Sequence, residues 1–260
     1  MVELKKADYP SAYLLYRTLK EFFPLIGAVL LDEQDGVVYG SNSDAPTQFY
    51  VEHKFGFAQI FGSPVLPFEA ALQKYLLVDK EFAPAKVRLY TPHLPEFLQS
   101  TQCDALRSER QRFILDPASD WAGNSLEPMA SDIKITTVDQ GNVAAIESQF
   151  GVVGRFWRSP EDFIRKALAV VAWVSEKPAA ICYAAAVANG QAEIDVLTLP
   201  EYRHLGLAKQ VVTLFNRHCL AQGVRPLWDC FTNNAGSVAL CEGTGFVPSH
   251  AAYPFFTFNK

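Results

Sequence analysis

Residues 197–215 read LTLPEYRHLGLAKQVVTLF, a run that sets a proline, an arginine and a single glycine at the mouth of a helix. Leu207, Val211, Leu214, Phe215 and then Cys219 recur at helical spacing, and Gly223 supplies a stop. The apolar residues before Pro200 read as a strand. A strand that enters a helix through Arg203-x-x-Gly206-x-Ala208 has a physical use. The first helical turn carries backbone N–H groups without intrahelical acceptors, and the helix dipole adds positive potential there. Glycine removes the side chain that would keep a ligand away from the backbone. Phosphate is the anion such a mouth suits.

Upstream, AVVAWVSEKPAAICYAAAVANGQAEIDVLTL divides into three strands at the turn signals Lys177-Pro178 and Asn189-Gly190. Before it come the strand IKITTV and the helices NVAAIESQFG and SPEDFIRKAL, the latter with Ser159 as N-cap and Pro160 in the first helical position. Downstream, PLWDCF is a strand, NNAGSVALCEGTGF a helix with an asparagine cap, and AYPFFTF a closing strand. The first half predicts a helix over residues 10–23 and two antiparallel strands in LIGAVLLDEQDGVVYGS, turning at Asp35-Gly36. An aromatic strand pair TQFYVEHKFGFAQIFG, a helix PFEAALQKYLLV opened by Pro67 and the short strands AKVRLYTP and ERQRFILD follow. Residues 116–132, DPASDWAGNSLEPMASD, lack hydrophobic periodicity and read as a connection between two cores. The expectation is an α/β (α+β) chain with domains over residues 1–125 and 126–260.

The 260 residues are 49% hydrophobic and 20% charged, ordinary globular composition with a core of useful size. A net charge of -5 argues against a general nucleic-acid or anionic-membrane binder. Glu21, Pro24 and Asp32 interrupt the early apolar stretches, so neither a signal peptide nor a membrane span is expected, and the chain reads as cytoplasmic. The five cysteines, Cys103, Cys182, Cys219, Cys230 and Cys241, lack zinc spacing and read as reduced, mostly buried thiols. His53 and His93 have no metal-spaced partners, so no metal is expected. In the first half, Phe49, Tyr50, Phe55, Phe57 and Phe61 stand at strand spacing and read as core.

PEYRHLGLA and NAGSVALCEGTGF, in this order of strands and helices, resemble the two motifs of the GNAT superfamily of acetyl-coenzyme A-dependent acyltransferases. The resemblance covers roughly the second half. EIDVLTLPEYRHLGLA and CLAQGVRPLWDC are similar, more closely, to the subfamily that includes the zwittermicin A resistance acetyltransferase. It implies a GNAT-type mixed, mostly antiparallel sheet flanked by helices, preceded by a smaller α/β domain whose element order permits a diverged GNAT-like half. It further implies acetyl-coenzyme A as co-substrate, with Arg203, His204, Leu205, Gly206, Leu207, Ala208 and Lys209 around its pyrophosphate. Leu197, Thr198 and Leu199, on a strand that a bulge splays from its neighbour, would meet the pantetheine arm and thioester. Asn234 and Ser237 would reach that arm from the next helix.

Acyl transfer to an amine needs a proton acceptor and a proton returned to the departing thiolate. Glu193 and Asp195 stand two apart on one strand and share a side. The resemblance implies that Glu193 is the base; the alternative is a pair of carboxylates that only attracts a cationic substrate. Cys241 stands where many family members carry an acidic tyrosine, and reads as a buried hydrophobe. Tyr253 is an alternative phenol or a packing aromatic, Trp228 reads as core, and Asp229 could cap, pair or line the acceptor cleft. The expected activity is acetylation of a primary amine on a small molecule by a monomer or homodimer, with no nucleic-acid or membrane partner. A non-catalytic coenzyme A sensor and an interaction module without cofactor are the alternatives.

Overall fold

A computed structural model describes residues 1–116 and 130–260. The expected boundary between residues 125 and 126 lies outside the described residues. The chain forms two compact units: Met1–Arg110 with Ala252–Lys260, and Gln111–Ala251.

The second unit is built on β7 (Ile133–Thr137), α4 (Val143–Phe150), α5 (Val153–Phe156), α6 (Pro160–Lys166), β8 (Val170–Val174), β9 (Lys177–Ala188), β10 (Gln191–Thr198), α7 (Leu207–Ala221), β11 (Arg225–Phe231), α8 (Ala235–Glu242) and β12 (Phe246–Pro248). Strands β7 to β10 form an antiparallel meander, and β11 adds in parallel to β10. Asn189 and Gly190 both take positive φ between β9 and β10, the hairpin geometry their sequence favours. The turn expected at Lys177-Pro178 falls instead at Ser175 and Glu176, both at positive φ, because β9 already begins at Lys177. Ser159 caps α6, its Oγ accepting from the Asp162 N–H at 3.2 Å. Small residues of the sheet, Ala172, Ala180, Cys182 and Ala184, meet Leu207, Val211, Val212 and Phe215 of α7 in the core. The small side chains let a bulky helix face lie close to the sheet.

The first unit contains β1 (Val2–Glu3), α1 (Tyr9–Tyr16), α2 (Pro24–Leu30), β2 (Gly36–Gly40), β3 (Gln48–His53), β4 (Phe57–Gly62), α3 (Leu66–Lys74), β5 (Lys86–Tyr90), the first four residues of β6 (Arg107–Leu115), and β13 (Tyr253–Asn259). Here too a strand, helices, three antiparallel strands, a helix and a parallel strand follow in order, with β4 beside β5 as β10 is beside β11. As far as β5, the first unit therefore follows the order and strand pairing that the second follows as far as β11.

Three further expectations change. The helix read over residues 10–23 ends at Tyr16, as α1. Residues 24–30, read as the start of a strand, form a helix in which all seven residues are buried, so the hairpin expected to turn at Asp35-Gly36 has no first strand. A short, uninterrupted apolar run has no periodicity to separate a buried strand from a buried helix; Pro24 at its first position was the signal for the latter. The closing strand, assigned to the second domain, joins the first unit. There β13 pairs with β5, Phe255 opposite Tyr90, and with β6, Tyr253 opposite Arg110, and it buries Tyr253, Phe255, Phe256 and Phe258.

Candidate functional site

The parallel pairing of β10 with β11 lasts for three residues and ends at Glu193 opposite Leu227. Strand β10 runs on to Thr198, paired only with β9, so its edge toward β11 is open from Ile194 onward. The β9–β10 register shifts between Glu193 and Ile194, where β9 carries one residue more, a bulge that adds twist at the point of parting. Leu197 and Thr198 lie on the open stretch; Leu199 follows it, tied by its N–H to the Ala179 carbonyl at 3.0 Å.

Residues 199–206 carry the chain from β10 to α7. Pro200–Tyr202 make a single 3-10 turn, and then His204 and Gly206 both adopt left-handed backbone, with φ of 65° and 74°. For His204 this is strain of the kind that collects at ligand sites, on the order of 1 kcal/mol. Nothing lies within 4 Å of where a Cβ on Gly206 would stand, so this glycine provides the backbone turn and open space in front of the helix. The N–H groups of Leu205, Gly206, Leu207 and Ala208 have no acceptor among the described residues. The 15-residue helix α7 begins behind them, and Arg203, His204 and Lys209 are exposed around them. Leu207 turns inward and is buried, whereas Leu205 is exposed. Unpartnered donors, a helix N-terminus, exposed cations and open volume fit a pyrophosphate; the open edge of β10 fits an amide-bearing arm.

Asn234 caps α8, its Oδ1 accepting from the Ser237 N–H at 3.1 Å. The cap fixes the carboxamide and leaves both Nδ2 hydrogens to donate outward. Ser237 is more committed than its position suggests, since its Oγ accepts from the Trp228 indole N–H at 3.0 Å and retains only its own hydroxyl hydrogen as donor. Trp228 is core, packed edge-on against Phe246.

Ala192, Ile194 and Val196 pack into the core under α7, which turns Glu193 and Asp195 to the opposite face of the sheet. Glu193 is 5% exposed at the last paired position, and Asp195 is half-buried. The Oδ2 atom of Asp195 accepts from the Tyr183 hydroxyl at 2.5 Å and lies 3.4 Å from the Arg155 guanidinium. Burial, then the neighbouring Asp195 carboxylate, hold the Tyr183 phenol well above its ordinary pKa. Neither Tyr183 nor Arg155 was singled out in the sequence. Tyr183 hides in an alanine-rich strand, and only the β9–β10 register brings it opposite Asp195.

Cys241 is fully buried in the core, and burial raises its thiol well above the ordinary range. All five cysteines are buried and none forms a disulfide. Asp229 pairs with Arg112 at 3.3 Å, both side chains nearly inaccessible. Tyr253 is buried in the first unit, edge-on to Phe23. His53 is buried and neutral: Nδ1 accepts from the Phe55 N–H, which leaves Nε2 to donate to Gln34. His93 is exposed and pairs with Glu21. No group of histidine, cysteine and carboxylate side chains suited to a metal occurs among the described residues, nor any helix long and apolar enough to cross a membrane.

A sequence model described as GNAT acetyltransferase matches residues 20–256. The chain belongs to the GNAT acetyltransferase family. The match takes in the first unit as well as the second, which agrees with their shared element order. The uncharacterized N-acetyltransferase YdfB of Bacillus subtilis (strain 168) is 34% identical over 91 residues, 35% of this chain and 35% of the relative. The matched stretch thus spans about a third of the length of that curated relative. A GCN5-related N-acetyltransferase-like protein from Streptococcus suis 89/1591 is similar in fold, with TM-score 0.72 and 17% identity, over 98% of this chain and 100% of that one. A tandem GNAT protein from the clavulanic acid biosynthesis pathway, solved without AcCoA, has TM-score 0.66 and 11% identity over 99% and 97% of the two chains.

Proposed function

We propose that this GNAT protein transfers an acetyl group from acetyl-coenzyme A to a primary amine of a small molecule, through its second unit. The observation that carries the proposal is the row of unpartnered N–H groups at the mouth of α7 beside the open edge of β10. In this reading Arg203, His204, Lys209 and the N–H groups of residues 205–208 hold the pyrophosphate. Leu197, Thr198 and Leu199 line the arm, with Asn234 donating from α8 and Ser237 offering its one remaining hydrogen. When bound, acetyl-coenzyme A supplies an activated acetyl group and a thiolate leaving group. Glu193, at the fork between β10 and β11, accepts the proton that the amine must lose, directly or through one water. Asp195 is held by Tyr183 and Arg155; it orders that face and adds negative potential for a cationic acceptor. Cys241 and Tyr253 do not serve as acid, the first because it is sealed in the core and the second because it packs in the other unit. Solvent protonates the thiolate.

The motif resemblance to the subfamily containing the zwittermicin A resistance acetyltransferase supports a soluble amine rather than a macromolecule as acceptor. Isothermal titration of the full chain with acetyl-coenzyme A tests the first step, and a mass-shift screen of amines the second. Micromolar binding and acetylation of at least one amine are expected. Absence of coenzyme A binding removes the proposal; binding without transfer to any amine leaves a sensor.

A further inference from the structure

The first unit holds a cavity of about 500 Å³ that the transfer chemistry does not use, since every residue assigned to transfer lies in the second unit. The cavity opens where β4 and β5 part. Gln59 opposite Tyr90 is their last pair; Ile60 and Phe61 then line one wall, and His93 and Leu94, beyond β5, another. Leu15 and Leu19 add apolar surface. Its volume lies in the range of small-molecule sites.

The cavity's polar groups give it a sign. Glu21 and Glu69 line it, and no lysine or arginine does. The amides are committed elsewhere: Gln48 Oε1 accepts from the Val65 N–H at 2.7 Å, and Gln59 Oε1 accepts from the Tyr16 hydroxyl. Glu69 keeps one oxygen on the Gln48 amide at 2.8 Å, and its other oxygen has no partner among the described residues. Glu21 pairs only with the exposed His93, at 3.3 Å. The start of α3 offers little to an anion: the Val65 N–H is taken by Gln48, those of Phe68 and Glu69 by the Val65 carbonyl, and Glu69 itself stands in the first turn. An apolar wall with a free carboxylate oxygen suits a cation on an apolar body and repels an anion.

We infer that this cavity binds a small organic amine, its ammonium group on Glu69 and its apolar body against Leu15, Leu19 and Phe61, with Glu21 adding negative potential. The site is independent of the transfer reaction and needs no acetyl-coenzyme A.

Titration of the full chain, without acetyl-coenzyme A, with phenylethylamine, 2-phenylethanol and phenylacetate tests this, because the three share a body and differ in charge. Phenylethylamine should bind at least tenfold more tightly than phenylacetate, with the alcohol between them. Glu69→Gln keeps the contact to Gln48 and should weaken the amine fivefold or more. Leu15→Arg, at an exposed cavity wall, places a competing cation and should abolish amine binding. Glu193→Gln, in the second unit, should leave it unchanged. Unaltered melting curves establish that the variants fold. The inference is overturned if phenylethylamine does not bind up to millimolar concentration or binds no better than phenylacetate. It is equally overturned if binding survives Glu69→Gln and Leu15→Arg but is lost in Glu193→Gln, which would place the amine at the transfer site.

Discussion

The two halves of this chain start from one plan and part company at the same place in it. In each, a strand pairs in parallel with the next for three residues and then diverges. The last paired residue is Glu193 in the second half and Gln59 in the first, both buried. The two side chains have nearly the same shape, yet only the carboxylate can take a proton. The following loops differ as much. Residues 199–206 give the second half a glycine turn, two left-handed residues and unpartnered N–H groups, whereas residues 63–65 give the first half a short entry into α3 whose donors are used internally. Shared topology thus builds a fork in both units, and a handful of residues decides whether its mouth is cationic or anionic.

The contrast breaks most sharply at Glu193. Glu193→Gln makes the second half match the first at this position and should lower kcat by roughly 10²–10⁴-fold while sparing acetyl-coenzyme A affinity. A loss confined to the acceptor KM, shrinking with added salt, would mean that the carboxylate attracts rather than deprotonates. Gln59→Glu in the same background should restore nothing; recovery of turnover would show that the halves can exchange roles.

Stability under acid should separate the units next. Burial lowers His53 in the first unit from 6.5 to about 3, with Lys54 contributing. Its folded value lies below its unfolded one, so the stability from keeping it neutral is full above pH 6.5 and is lost as pH falls toward 3. The whole swing is on the order of 5 kcal/mol. Thermal melts of His53→Asn, which can still accept from the Phe55 N–H, should become less acid-sensitive than the parent over that window. Parallel pH profiles would contradict the buried, neutral assignment.

At the helix mouths, Arg203→Glu should weaken coenzyme A binding by tenfold or more, a cost of about 1.4 kcal/mol or above. Arg203 is the cleaner site because Gly206→Glu adds left-handed strain to the charge effect. Leu66→Glu puts the same charge on the exposed first turn of α3 and should leave coenzyme A affinity unchanged. Equal losses in both would deny that the second half alone carries the anion site. Cys241→Ala should change kcat by less than about threefold, since a buried thiol in an apolar core contributes packing; a collapse of turnover with intact binding would return an acid role to that residue.

Much of the second half could be read in advance because its signals are local. The helical stripe of α7, the Asn189-Gly190 hairpin and the Ser159 cap each act within a few residues. The Arg203-x-x-Gly206 entry into α7 is visible for the same reason. The open edge of β10 and the Tyr183–Asp195–Arg155 cluster depend on pairing between distant segments, which no local pattern encodes. In the first half the apolar run at residues 24–30 has no period to decode, and the cavity is made by strands, helix and loops that only the fold assembles. The likeness of that half to the second was hidden because the arginine before the helix and the glycine at its N-cap, Arg203 and Gly206 in the second half, have no counterpart ahead of α3, whose N-cap is Val65.

The placement of β13 has a consequence for the order in which the protein can be completed. Its partners β5 and β6 are complete about 160 and about 140 residues, respectively, before Ala252, the residue that opens the returning segment. At bacterial or eukaryotic synthesis rates that interval is on the order of ten to thirty seconds. Throughout it, the facing edges of β5 and β6 lack the strand that joins them, while everything the second unit needs is being delivered in sequence. The half made first is therefore the half finished last, and a chain truncated before residue 252 should expose those edges to chaperones while carrying every residue of its second unit.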